Sequence, residues 1–362
     1  MLDADAIARL RLIRTRSIGP ATYAQLLTRF GSAQAALDAL PDLVRRGGGA
    51  SPRLAGVDAI EREAEQVAHA GARYLILGRD SYPALLAETD TAPPALIVAG
   101  DVGLLTRPSV ALVGARNASA AAVRFARILA HDLAAEDLVV VSGLARGIDT
   151  AAHVGSIDRG TIAVIAGGID VVYPPENAGL QAAIAERGLV VTEQPPGTEP
   201  RARHFPYRNR IIAGLAQGTV VVEAAMRSGS LLTARIAADY GRDVMAVPGF
   251  PLDPRAQGCN ALIRDGATLV QNAADVVATL RPFGAGRTVA APPRPFEYAE
   301  PVVEPNATER HALAGLLSPV ATPIDELIRQ SGLAPAAVQT ILLELELAGN
   351  LQRHAGGRVS VG

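Results

Sequence analysis

Lysine is missing from the 362 residues: all 34 basic side chains are arginine. A Walker-type phosphate loop needs a lysine at the β- and γ-phosphates, so no ATPase of that class is encoded. Schiff-base lysine chemistry is excluded with it. GC-rich codon usage explains an arginine-only inventory better than selection for binding does. Even so, arginine keeps its charge, forks onto phosphate and stacks on bases. Tryptophan is absent too, and the single cysteine, Cys259, excludes an internal disulfide and a thiolate metal cage. The six histidines, His69, His131, His153, His204, His311 and His354, show no metal-ligand spacing. No segment offers about 18 uninterrupted apolar residues, and the start lacks the charged-then-apolar order of a signal peptide. The expectation is a soluble, cytoplasmic protein with no membrane partner, metal or cofactor.

What is present suits a sizeable core: 49% hydrophobic against 19% charged residues, in a chain long enough for two or three domains. The formal net charge of −2 argues against coating nucleic acid by overall charge, so any such site must be a local basic patch.

The chain divides into an N-terminal helical domain over 1–70, a Rossmann-like α/β domain over 71–281, a proline-rich linker over 282–306 and a winged helix over 307–362. In the first part Ile7, Leu10 and Ile13, then Leu26, Leu27 and Phe30, fall at helical spacing. Between them Ser17-Ile18-Gly19-Pro20-Ala21-Thr22 resembles a helix-hairpin-helix (or SAM-like) turn, with Gly19 permitting the turn and Pro20 opening the next helix. A helix-packing module without DNA contact fits as well. In the second part nine short apolar runs alternate with helical stretches, which implies a parallel sheet covered on both faces. Ligands in such a sheet bind outside the carboxyl ends of its strands.

After Val110–Val113 comes Gly114-Ala115-Arg116-Asn117-Ala118-Ser119 and a helix. Gly114 allows a close turn, Ser119 is an N-cap, and Arg116 adds charge beside free helix N–H groups. After Leu138–Val141 comes Ser142-Gly143-Leu144-Ala145-Arg146-Gly147-Ile148-Asp149, short of a full dinucleotide fingerprint. There Arg146 either faces phosphate or pairs with Asp149. Gly167, after Thr161–Ile165, again permits close approach, whereas Tyr173 reads as packing. The densest signal runs from Arg201 to Arg210, with four arginines, no acid, and Phe205 and Tyr207 interleaved. Arginines beside an aromatic platform suit sequence-tolerant single-strand binding. Candidate contacts there are Arg203, Phe205, Arg208, Asn209 and Arg210. After Thr219–Val222 come Glu223, read as an acceptor for an arginine, and Ser228-Gly229-Ser230, read as an anion nest. No nucleophile–base pair and no spaced pair of carboxylates is evident, so no enzyme is expected.

The segments VGARNAS, VSGLARGID, IAGGIDVVYPPEN, TEQPPGTEPRARHFPYRNRIIAGL, VVEAAMRSGSLLTA, GRDVMAVPG and GCNALIRDGA together resemble the DNA-processing protein A (DprA/Smf) family. The resemblance implies a homodimeric recombination mediator of natural transformation. Such a protein binds and protects incoming single-stranded DNA and helps load RecA onto it, with no nucleotide cofactor. It implies DNA contacts at Arg116, at Phe205, Arg208, Asn209 and Arg210, and at Ser228, Gly229 and Ser230. Ala115 and Thr192 stand where serine is common, and Gln194 where an aromatic is common. Two other readings are a nucleotide-binding phosphoribohydrolase-like enzyme, which would need a PGG ahead of its acid, and a protein-only adaptor. From Pro305 to Gly362 there are four arginines and five acids, and the third helix carries Glu344 and Glu346 without a base. A groove reader should be basic there, so this domain is expected to contact protein.

Overall fold

A computed structural model describes residues 2–50, 53–79, 81–280, 304–354 and 356–362. Two compact units result: residues 1–61 with 287–362, and residues 62–286. The stretch expected as a linker, 282–306, lies outside the described residues up to 303. No helix among the described residues is long and apolar enough to cross a membrane.

The chain opens with α1 (Ala4–Arg14), α2 (Pro20–Phe30), α3 (Ala33–Arg46) and α4 (Val57–His69). Next come β1 (Arg73–Ile76), α5 (Ala84–Ala87) and β2 (Ala95–Gly100). Strand and helix then alternate: β3 (Ser109–Val113), α6 (Ala120–Ala135), β4 (Val139–Ser142), α7 (Ile148–Ser156), β5 (Thr161–Val164), α8 (Ala178–Arg187) and β6 (Leu189–Thr192). The alternation continues with α9 (His204–Leu215), β7 (Gly218–Val221), α10 (Gly229–Asp239), β8 (Asp243–Ala246), α11 (Gln257–Arg264), β9 (Thr268–Leu269) and α12 (Ala273–Leu280).

The nine strands form one sheet in the order β1-β2-β6-β5-β4-β3-β7-β8-β9. It is less uniform than the alternation suggested. The pairs from β6 through β9 are parallel, but β2 runs antiparallel to both β1 and β6. Between β1 and β2 the helical element is the single turn α5, too short for the crossover that a parallel pair requires. Both faces of the central strands are buried, as their unbroken apolar runs demand. In β3, Val110 and Leu112 join Leu129, Leu133 and Ile148 of α6 and α7 on one face. Ala111 and Val113 join Ile212 and Leu215 of α9 on the other. β3 lies beside β7, with β4 to β6 on one flank and β8 and β9 on the other. The direction of winding therefore reverses at β3 and β7, which opens a crevice at their carboxyl ends.

The terminal unit has different parts. α13 (Ala307–Leu316), β10 (Thr322–Pro323), α14 (Ile324–Ser331), α15 (Pro335–Leu347), β11 (Leu351–His354) and β12 (Arg358–Val361) make a winged helix, its antiparallel strands ordered β10-β12-β11. The ribbon turns through Gly356 and Gly357, both left-handed. At the other end of the chain, Gly19 is not the residue that makes the turn between α1 and α2. Its backbone is extended, at φ −94° and ψ 178°, and it precedes Pro20 as the N-cap of α2. The left-handed residue is Ser17, at φ 71°. Expected as separate modules, the two ends share a core: Leu343 and Leu347 of α15 pack with Leu12, Leu26, Leu40 and Leu43.

Candidate functional site

At the winding reversal, the loops after β3, β4, β7 and β8 and the first turn of α9 line a cavity of about 750 Å³. Small residues let these loops meet. A Cβ on Gly114 would lie 2.9 Å from that of Ile148, and one on the left-handed Gly147 would lie 2.7 Å from the Arg116 carbonyl oxygen. Seven of the residues expected from the sequence come together here: Arg116, Phe205, Arg208, Asn209, Ser228, Gly229 and Ser230.

Arg208 is buried, as are Asn209 and Ser230. Its guanidinium lies directly on Gly143, where any Cβ would overlap Nη1 and Cζ and stand 2.7 Å from Nη2. Gly143 therefore acts by absence, making room for the arginine. The nearest carboxylate is that of Asp149, with Oδ2 3.7 Å from Nη1, beyond hydrogen-bonding distance. Arg208 Nε finds no hydrogen-bond acceptor among the described residues. Burial lowers the guanidinium's proton affinity, the charge of Asp149 restores part of it, and Arg116 lowers it again. Burial likewise pushes the Asp149 carboxyl up, with Arg208 opposing. The result is a desolvated cation with an incomplete set of partners, facing an open cavity.

Phe205 organises the charges around it. The Arg116 guanidinium sits 4.6 Å from its ring centroid and that of Arg208 5.9 Å away, both within cation–π range. Tyr173, whose ring centroid is 6.0 Å from that of Phe205 at a tilt of 57°, is 45% exposed rather than packed away. Opposite them, Ser228 caps α10 by accepting from the Ser230 N–H, and the two hydroxyls are 2.7 Å apart. Four arginines (116, 208, 227 and 255) and one carboxylate (Asp149) line the cavity. Arg255, held by Asp253 at 3.0 Å, is not among the residues expected from the sequence. Its place after the carboxyl end of β8 is the signal that marks it.

The other expected residues sit elsewhere. Ser119 caps α6 as anticipated, accepting from the Ala122 N–H at 3.1 Å. Its own N–H and hydroxyl, however, both donate to Glu223, at 2.9 and 2.7 Å. A carboxylate thus already occupies the helix start expected to receive an anion, and Glu223 serves a serine, not an arginine. Arg146 pairs with neither a cavity group nor Asp149. It bridges to Glu176 and lines a separate hollow of about 440 Å³ with Arg127 and Val154. Arg210 points inward, donating to the Thr91 carbonyl and to Glu193, and so fixes α9 to the sheet edge. Gly167 packs against the Pro200 ring, where a Cβ would lie 3.2 Å from two ring carbons, and its carbonyl accepts from Thr192. Arg203 is exposed beside His204.

A buried histidine lies behind the crevice. His153 donates or accepts through Nδ1 with Thr161 Oγ1 at 2.7 Å. Burial, aided by the charge of Arg208, holds its pKa down to about 3, so it stays neutral. Cys259 is buried and its thiol is pushed up to about 12. Neither group is poised for chemistry. As built, the cavity can hold a phosphate on Arg208 and Arg116 and expose hydroxyls and aromatic edges to what is attached to it.

Comparison with known proteins agrees on one family. A family model described as DNA recombination-mediator protein A matches residues 73–281. A DprA-like N-terminal HHH domain matches 3–65, and a DprA winged helix domain matches 297–357. The DNA processing protein DprA of Streptococcus pneumoniae is 49% identical over 201 residues, 55% of this chain and 71% of that one. Its crystal structure covers 76% of this chain and 98% of its own, at 34% identity and a TM-score of 0.64. A structure of DNA processing protein A from Helicobacter pylori, described for its single-stranded DNA binding mode, covers 57% of this chain and 95% of its own. It does so at 29% identity and a TM-score of 0.53.

Proposed function

Because the chain belongs to the DNA recombination-mediator protein A family, we propose that it binds single-stranded DNA at the β3–β7 crevice and leaves it chemically unchanged. The observation that carries this reading is Arg208: a buried guanidinium whose nearest carboxylate stands off at 3.7 Å and whose Nε has no acceptor among the described residues. A backbone phosphate seated in the cavity that Arg208 lines gives this cation a charged partner, and charge-assisted bonds to phosphate are short and strong. Arg116, stacked on Phe205, contributes a second cation, and Ser228 and Ser230 contribute neutral donors. Arg227 and Arg255 extend the positive rim. Asn209 donates to the Gly229 carbonyl at 3.4 Å and keeps α9 and α10 in register around the phosphate.

Ser119, Gly143, Gly167 and Arg210 then act by holding loops and arginines in place, and Arg146 and Arg203 lie outside the crevice. The exposed Tyr173 is a further stacking surface for an unpaired base. No covalent step is assigned: the hydroxyls of the crevice serines, Ser228 and Ser230, are hydrogen-bonded to each other at 2.7 Å. At the level of the whole protein, the reading is a recombination mediator of natural transformation. It acts in the cytoplasm as a homodimer, protects incoming single strands and helps load RecA.

The test is a gel shift with single- and double-stranded oligonucleotides, comparing the wild type with Arg116→Ala and Arg208→Ala. Each variant is expected to lose at least tenfold in single-strand affinity. Each lost phosphate contact should lower the salt slope by about 0.7. Unchanged affinity in folded variants would favour the protein-only adaptor.

A further inference from the structure

α15 is apolar on nearly all sides. Val338, Ile341 and Leu342 are buried in the winged helix's own core with Leu313, Leu327, Leu351 and Val359. Leu343 and Leu347 point the other way, into the core of the N-terminal helices. A helix that is hydrophobic all round must be covered all round, and a winged helix alone covers one face.

The cover is specific. At the C-terminal end of α3, Gly47 meets the C-terminal end of α15. A Cβ there would strike the Glu344 carbonyl oxygen and lie 2.8 Å from Ala348 Cβ. Asn350 Nδ2 donates to the Gly47 carbonyl at 2.8 Å. The two acids that are out of place on a groove-reading helix are both committed. Glu344, 1% exposed, receives Arg310 through two bonds of 2.7 and 2.9 Å. Glu346 accepts from Arg353 at 2.8 Å and from the hydroxyl of Thr22, in the first turn of α2, at 3.1 Å. Glu304 spans Arg29 and Arg46 of the N-terminal helices and lies 3.6 Å from Arg310 of the winged helix.

We infer that α15 is an intramolecular docking helix, and that its partner is the N-terminal helical module of the same chain. The C-terminal half of the face a winged helix would lay into a DNA groove, with Leu343 and Leu347, is spent on the N-terminal helices. Thr22, in the first turn of α2, is taken up by Glu346. The docked ends of both elements are therefore closed to nucleic acid. This inference does not depend on what the β3–β7 crevice binds.

Gly47→Ala in the full chain tests it. Gly47 has φ −74° and ψ 0°, which any residue adopts, so the added methyl is harmless unless α15 is docked. Gly315→Ala, with nothing within 4 Å of its Cβ, is the control. Hydrogen exchange should speed up at least tenfold in both 33–46 and 341–347 for Gly47→Ala, and in neither for the control. Exchange in the sheet residues 109–222 should stay unchanged in both. Wild-type-like exchange across 341–347 in Gly47→Ala would overturn the docking. So would tight, salt-dependent duplex binding by the wild type that is lost on replacing Arg353 and Arg358 by alanine.

Discussion

Replacing Gly143 by alanine removes no functional group, yet the crevice geometry makes it a severe change. Gly143 has an ordinary backbone conformation, so the methyl itself causes no strain. It would instead fall on the guanidinium of Arg208, overlapping Nη1 and Cζ. Restoring van der Waals contact requires the guanidinium to withdraw by roughly 2 Å. Arg208 is buried, so overpacking should cost about 1–3 kcal/mol of stability. The larger effect should be on binding. A guanidinium displaced that far no longer reaches a phosphate seated between it and Arg116. Losing one charge-assisted hydrogen bond of about 1.5–3 kcal/mol weakens single-strand binding by roughly 10- to 150-fold. Fluorescence anisotropy with a labelled single-stranded oligonucleotide at two salt concentrations reads both affinity and slope. Gly179→Ala, whose Cβ meets nothing within 4 Å, controls for nonspecific effects. A folded Gly143→Ala protein with wild-type affinity and slope would show that Arg208 does not hold phosphate, and the reasoning would fail.

Further outcomes follow from the same contacts. Ser119→Ala removes the side-chain cap of α6 and the hydroxyl partner of Glu223. The backbone N–H donated to Glu223 stays, so the net loss should be about 1–2 kcal/mol, seen as a lower Tm. An unchanged Tm would mean that the cap is dispensable. His153 is neutral in the fold with a pKa of about 3, against an ordinary value of 6.5. The fold therefore favours the unprotonated ring, and its contribution is intact above pH 6.5 and falls as pH drops from there towards 3. At pH 5 the loss should be about 2 kcal/mol. His153→Asn should flatten that part of a denaturant-measured stability profile, and an equally steep profile in the variant would assign the acid sensitivity elsewhere.

Much of the fold can be read from residue pattern alone, and particular residues show where that stops. Strands such as Ser109–Val113 are visible because burial on both faces demands unbroken apolar runs. The reversed direction of β2 is not visible, because run composition carries no direction. It follows from a connection too short to cross over. Gly114, Arg116 and Ser228 could be placed because strand ends and helix caps have local signatures. Arg208 and Arg210 look alike in a run of arginines. They separate only in space, one under the cavity on Gly143, the other turned to Glu193. Glu223 and Ser119 are 104 residues apart, so a capping carboxylate of this kind leaves no local trace. The acids of α15 give no sign in the sequence of their partners, Arg310, Arg353 and Thr22.

In the proposed function, single-stranded DNA lies at the β3–β7 crevice and not on the terminal unit. Photo-crosslinking with a single-stranded oligonucleotide carrying 5-iodouracil, followed by mass spectrometry of the full chain, measures that place directly. Crosslinks are expected in 114–119, in Tyr173, in 202–209 and in 227–230, reduced at least tenfold in Arg208→Ala. Crosslinks concentrated in 304–362 or in 2–50, and unaffected by Arg208→Ala, would contradict that placement.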